Sequence, residues 1–199
     1  VSSSGKPWKL FLNNEIVWVR LDLFFSDALV FLHELTSCCG FNADALVLSF
    51  FQNVNPHYSL IHQAEFAAEY AAWWEARAKN EPLPVPWTCL LLTLCACACQ
   101  HLPVDIQERL EEMFHAQCQD LTEKYHYHAR MLYAVIPEGQ YYRHNVMWML
   151  HSTYWYKAEA LFAECCHVFI TAVREAQELG MSISLRNQGL AAIDMYDPY

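Results

Sequence analysis

Two Glu-x-x-His pairs, Glu112-Met-Phe-His115 and Glu164-Cys-Cys-His167, are the side chains of this sequence best spaced to hold a metal. Three residues of separation puts a carboxylate and an imidazole on one helix face, and di-iron carboxylate bundles combine two such pairs with one further inward glutamate from each of two other helices. Glu69, Glu75 or Glu159 would have to supply those. The second pair argues against the site, because Glu164 and His167 continue into Thr171, Arg174 and Glu178 at spacings of three and four, a polar stripe that faces water. Among the ten histidines, His126 and His128 are two apart and point to different sides of a helix, while His57 and His62 flank a turn; neither pair has the i, i+4 geometry of a helical chelate. Cys165 and Cys166 beside His167 are sequence neighbours, and a nucleophilic cysteine needs a base placed in space and an electropositive, exposed setting. With five glycines in the chain, there is no glycine-rich phosphate loop and no Gly-x-Ser-x-Gly elbow. The expectation is a chain with no catalytic residue, no cofactor and no metal. The aromatic density, including Trp73, Trp74, Trp87, Trp148 and Trp155, reads as core mass before it reads as a pocket for a flat ligand.

Composition limits the partners. The 199 residues are 55% apolar and 15% aromatic, enough for a sizeable core, and carry a net charge of −10. The basic residues are scattered, so direct nucleic acid contact by this chain is not expected. The nine cysteines are odd in number, contain no Cys-x-x-Cys pair and fall in apolar, helix-like runs. They read as small buried hydrophobes of a reducing compartment, not as a disulfide scaffold. The longest apolar run, Val85 to Cys99, contains a proline and two threonines and is shorter than the ~20 residues of a membrane span. No membrane association is expected, and the chain reads as intracellular and soluble.

The elements that would position these residues are helices. Residues 1–13 carry Ser, Gly, Pro and Asn and read as a tail or linker. Asn13 and Asn14 can cap a first helix, and Asp22 or Ser26 a second that runs to a Cys38-Cys39-Gly40 stop. Asn42 caps a helix over Ala43 to Val54, with Leu46, Phe50 and Phe51 on one face, and Asn55-Pro56 is expected to end it. The next helix places Phe66, Tyr70, Trp73 and Trp74 opposite Glu65, Glu69 and Glu75. Residues 80–86 form a stiff proline-rich connector. Trp87 to Gln100 is apolar all round and must be surrounded, which makes it the centre. A stripe from Ile106 through Leu110, Phe114, Cys118, Leu121, Tyr125 and His128 to Leu132 predicts one extended helix or two collinear ones, closed by a turn at Ile136-Pro137-Glu138-Gly139. Tyr141 to Tyr156 follows, with Val146, Met149, Leu150 and Thr153 inward. In the last helix, Ala158 to Leu179, the residues Leu161, Phe162, Cys165, Cys166, Val168, Phe169, Ala172, Val173 and Ala176 predict one broad buried face, and Gly180 the left-handed stop. No strand pattern of period two is found. The fold class is all-α, an irregular bundle of about seven helices around one apolar central helix. The helical domain spans 14–183, and 184–199 is an irregular tail.

Four stretches in this order, FFQNVNPHYSLIHQAEFAAEY at 50–70, WTCLLLTLCACACQ at 87–100, YHYHARMLY at 125–133 and AVREAQELGM at 172–181, resemble the fungal-specific transcription factor domain, the middle homology region of fungal zinc-cluster regulators. The first family motif reads Asn-Pro, an aliphatic pair, then His-Pro-x-Phe; Asn55, Pro56, Leu60, Ile61, His62 and Phe66 stand in those places, with Gln63 where proline is usual. Tyr127, His128 and Ala129 match the Tyr-His-x-Ala element, and Ala172, Arg174, Ala176, Leu179 and Gly180 the Ala-x-Arg-x-Ala-x-x-Leu-Gly element. The resemblance covers about 42–183. The six-cysteine zinc cluster and the Arg-rich, Trp-containing element of the family are not in this sequence.

What the resemblance implies is a regulatory and scaffolding module, nuclear, acting through a small-molecule effector, a protein partner or homodimer contacts, with no covalent chemistry of its own. His62, Phe66, Tyr127, His128, Arg174 and Gly180 are its family-motif or pocket residues. Apart from the resemblance, the location would be cytoplasmic. The alternative is a stand-alone small-molecule-binding protein or enzyme of fungal secondary metabolism derived from that domain. Convergence of two or more of His62, His128, Tyr125 and Glu69 on a cavity of several hundred Å³ would favour the alternative; a closed apolar centre with a large exposed apolar patch would favour the module.

Overall fold

A computed structural model describes residues 10–12, 15–17 and 41–181. The expected helices over Asp22 or Ser26 to the Cys38-Cys39-Gly40 stop, and the 184–199 tail, lie outside the described residues. Helix α1 (Phe41–Ser49) runs without interruption into a π-helical segment (Phe50–Val54) and a single further turn, α2 (Asn55–Tyr58). Then come α3 (Gln63–Ala78), α4 (Val85–Cys99), α5 (Val104–Phe114), α6 (Cys118–Tyr133), α7 (Arg143–Ala158) and α8 (Phe162–Glu178). With the first three pieces taken as one rod, the described residues form seven helices in an all-α bundle.

The centre is where the apolar pattern puts it. All fifteen residues of α4 are buried, and α6, α7, α1 and the π-helical segment pack around it. Pro86 stands in the first turn of α4, where a missing N–H breaks no helical hydrogen bond. On α6 the buried residues Cys118, Leu121, Thr122, Tyr125, His126, His128, Ala129 and Leu132 repeat at the three- and four-residue spacing that keeps one face on α4. The turn before α7 has Gly139 at φ +85° and a Gln140 N–H to Pro137 carbonyl hydrogen bond of 3.2 Å. A positive φ at the third position of a four-residue turn is a demand glycine meets without strain.

Three expectations need correction, and one open alternative is decided. A three-stranded sheet exists, although no period-two pattern announces it: β1 (Leu10–Leu12) pairs antiparallel with β2 (Glu15–Val17) and parallel with β3 (Leu83–Pro84). Strands of two and three residues are too short for an alternation to register, and Glu15–Val17 is strand where Asn13 and Asn14 were expected to begin a helix. Asn55-Pro56 does not end its helix. The chain widens to a π-helix before it, Pro56 takes a first-turn position, and the stop falls at Ser59, whose φ is +50°. The Asn55 side chain then holds the exit, donating to the Ile61 carbonyl at 3.1 Å and accepting the Ile61 N–H at 3.3 Å. The long 106–132 stripe is two helices, parted where His115 turns left-handed at φ +49°.

The third correction concerns α8, which starts at Phe162 after a joint at Glu159 to Leu161 with Ala160 at φ +57°. Its apolar residues form two faces, not one. Cys165, Val168 and Ala172, with Glu175, turn inward, chiefly against α7, whereas Phe162, Cys166, Phe169, Ile170 and Val173 are exposed, Phe162 by 63% and Ile170 by 68%. Among the described residues, no single helix is long and apolar enough to cross a membrane.

Candidate functional site

Beside an open hollow of about 740 Å³ lined by Asn55, Leu60, His62, Gln63 and Arg143, the described residues form a cleft between α3 and α7, under the loop at Ile61 and His62, that gathers His62, Phe66 and Glu69. Its apolar floor is Ile61, Phe66, Leu90 and Met147; its rim is His62, Glu65, Glu69, Arg143 and His144. Two adjacent α7 residues reach across to two α3 carboxylates one turn apart. Arg143 donates to both oxygens of Glu65, at 2.7 and 3.2 Å, and His144 Nε2 lies 3.2 Å from Glu69 Oε2. That same oxygen accepts the Trp87 indole N–H at 2.6 Å, so α4 joins the pair. The hydrogen bonds and charge of Arg143 hold the Glu65 carboxyl below its ordinary range, and Glu65 raises Arg143 in return. Both groups are about half exposed, so the pair orients the helices more than it stabilises them.

The cleft's cavity volume is about 10 Å³, room for about one water molecule and far below the size of a small-molecule site. The Arg143 and Glu65 charges at its rim are already paired with each other. The arrangement has room for no more than about one water molecule, and it offers no nucleophile with a base.

The other singled residues do not come to this cleft. His128 is buried on α6 and Tyr127 is exposed beside it; Arg174 is exposed on α8, and Gly180, at φ +71°, stops that helix in the left-handed conformation expected of it. Tyr125 is buried with α6 against α4. Glu112, Glu164, His115 and His167 are all exposed. Among the described residues, no group of three or more His, Cys, Asp or Glu is placed to hold a metal.

Sequence reasoning missed a polar network inside the bundle. His126 Nε2 and Ser152 Oγ are 2.6 Å apart, the imidazole stacks on Trp155 at 3.8 Å between ring centres, the Trp155 indole donates to Thr122 Oγ1 at 2.8 Å, and Thr122 donates to the Ala96 carbonyl at 2.7 Å. A serine against a histidine is the beginning of a nucleophilic dyad, but burial pushes the His126 pKa down to about 3, far from the operating range of a general base. Ser152 and His126 are sealed in the core. The network ties α4, α6 and α7 together, and no sequence signal marks it, because its members lie up to 59 positions apart.

The fold and site therefore define a helical bundle with a paired, shallow cleft and an open apolar helix face. A curated relative, the probable transcription factor sol4 of Alternaria solani, is 25% identical over 144 residues, which is 69% of this chain and 25% of that protein. The chain spans about a quarter of the relative's length. No family model and no solved structure matches the chain.

Proposed function

We propose that this chain is a regulatory helical module of a fungal transcription factor, of the middle-homology-region kind, which works in the nucleus through protein contact and does no covalent chemistry. The observation that carries the reading is the open face of α8. Phe162, Cys166, Phe169 and Val173 repeat at spacings of four, three and four, the seam by which one helix packs on another. An exposed apolar strip of this kind marks an interaction surface, and a second copy of the chain meets its requirement by two-fold symmetry, because an apolar stripe is complementary to itself. The similarity to sol4 supports the transcriptional part of the reading.

Light scattering after size-exclusion chromatography tests the contact: the wild-type chain should elute as a dimer, and Phe169→Asp with Val173→Asp as a folded monomer. A wild-type monomer at high micromolar concentration would remove self-association from the reading. For the regulatory role, the chain placed between a heterologous DNA-binding domain and an activation domain should change reporter output, and the double variant should abolish that change. The stand-alone binder or enzyme has less behind it: His62 and Glu69 do share the cleft, but its cavity holds only about one water molecule, and the wider hollow beside it takes His62 without Glu69, Tyr125 or His128.

A further inference from the structure

Helix α5 is the least anchored of the long helices; Leu110 is its one buried residue. It forms an arm whose two feet are Cys99, the last residue of α4, and Cys118, the first of α6. Because Thr122 donates to the Ala96 carbonyl at 2.7 Å, and Gln100, just past α4, and Gln119 on α6 donate to the two oxygens of one carboxylate, Glu159, at 2.6 and 3.0 Å, α4 and α6 run antiparallel. One turn outward from the Thr122–Ala96 contact, this register brings Cys99 and Cys118 face to face at the neck of the arm.

The pair differs from the other cysteines of the core. Cys89, Cys95 and Cys97 are at most 2% exposed, whereas Cys99 and Cys118 keep 7% and 6%. Burial pushes Cys95 and Cys97 up to about 12. Cys118 moves the opposite way, held below the usual thiol range by a hydrogen bond from the Cys99 thiol, which is itself raised. A helix amino terminus also favours a thiolate, whereas burial and the carboxylate of Glu111, whose Oε1 accepts the Cys118 N–H at 2.9 Å, oppose it more weakly than the Cys99 hydrogen bond favours it.

We propose that Cys99 and Cys118 are a reversible dithiol–disulfide pair which, oxidised by a low-molecular-weight disulfide such as glutathione disulfide, staples the neck of the α5 arm. Cys118 attacks as thiolate, forming a mixed disulfide and releasing one glutathione. Cys99 then gives up its proton and attacks the Cys118 sulfur, closing the intramolecular bond and releasing the second glutathione. The protein loses two electrons and two protons, and both appear on the two glutathione molecules.

The test is incubation of the reduced wild-type chain with glutathione disulfide, followed by alkylation, a non-reducing peptide map and hydrogen exchange of α5. The expected result is a crosslinked peptide joining Cys99 to Cys118, loss of both thiols, and about tenfold slower exchange of the α5 amides. Cys99→Ser should stop at glutathionylated Cys118, and Cys166→Ser should leave the crosslink intact. The proposal is overturned if Cys99 and Cys118 remain alkylatable while Cys166 is oxidised, if Cys118 halts as the mixed disulfide in the wild type, or if the crosslink joins another pair. The wild-type peptide map decides the matter even if a serine variant does not fold.

Discussion

Gly180 ends α8 at φ +71°, and a Cβ built there would meet no atom within 4 Å. A substitution is therefore opposed by backbone conformation alone and not by a clash, which sets the size of the effect. Gly180→Val should destabilise the chain by about 1–2 kcal/mol, the cost of forcing an L side chain into the left-handed region, while Gly180→Asn should recover most of that loss. Thermal melts of the three proteins check it, and superimposable curves for wild type and Gly180→Val would refute the assignment. Ala160 carries the same burden at φ +57° in the α7–α8 joint. The glycine announces its role in the sequence. The alanine does not, because only the path of the chain between two packed helices forces it left-handed.

At the scale of the element, α8 shows what periodicity leaves open. Leu161, Phe162, Val168, Phe169, Ala172 and Val173 all satisfy a helical apolar pattern, and the pattern correctly makes a helix. A stripe wide enough for two neighbours cannot say which half is covered. Contact with α7 decides it: Ala172 is fully buried, and Phe169 is 47% exposed. Ala172→Asp should cost about 3 kcal/mol or more, since it places a carboxylate in an apolar contact without a partner. Phe169→Asp should change monomer stability by less than about 1 kcal/mol and act on association instead. Urea denaturation of the two variants at low protein concentration separates the faces, and equal losses would show that α8 has no open side.

At the scale of the whole molecule, two of the buried imidazoles among the described residues, His126 and His151, couple stability to pH. Burial lowers His151 to about 4, with its Nδ1–H donating to the Met147 carbonyl at 2.8 Å, and lowers His126 to about 3. In the unfolded chain each titrates near 6.5, so below that pH the unfolded state binds protons that the folded state refuses. Stability is fully present above about pH 6.5 and is lost as the pH falls through 6.5 toward 4, by roughly 3 kcal/mol from His151 alone at the lower end. Denaturation midpoints at pH 7.5, 6 and 4.5 should fall in that order, and the decline should be shallower in His151→Gln; a flat profile would contradict the burial of neutral histidines.

By itself, the sequence determined the helical class, the sheathed centre at α4, the Gly139 turn and the Gly180 stop, because each follows from local periodicity or from a backbone angle that one residue type favours. Only the tertiary structure decided the rest. The Glu65–Arg143 and Glu69–His144–Trp87 contacts, the buried His126–Ser152 pair, the facing of Cys99 and Cys118, and the open half of α8 join residues distant along the chain. Their pairing depends on how rods of similar amphipathic character are rotated and set in register against one another, and that information is carried by packing, not by spacing.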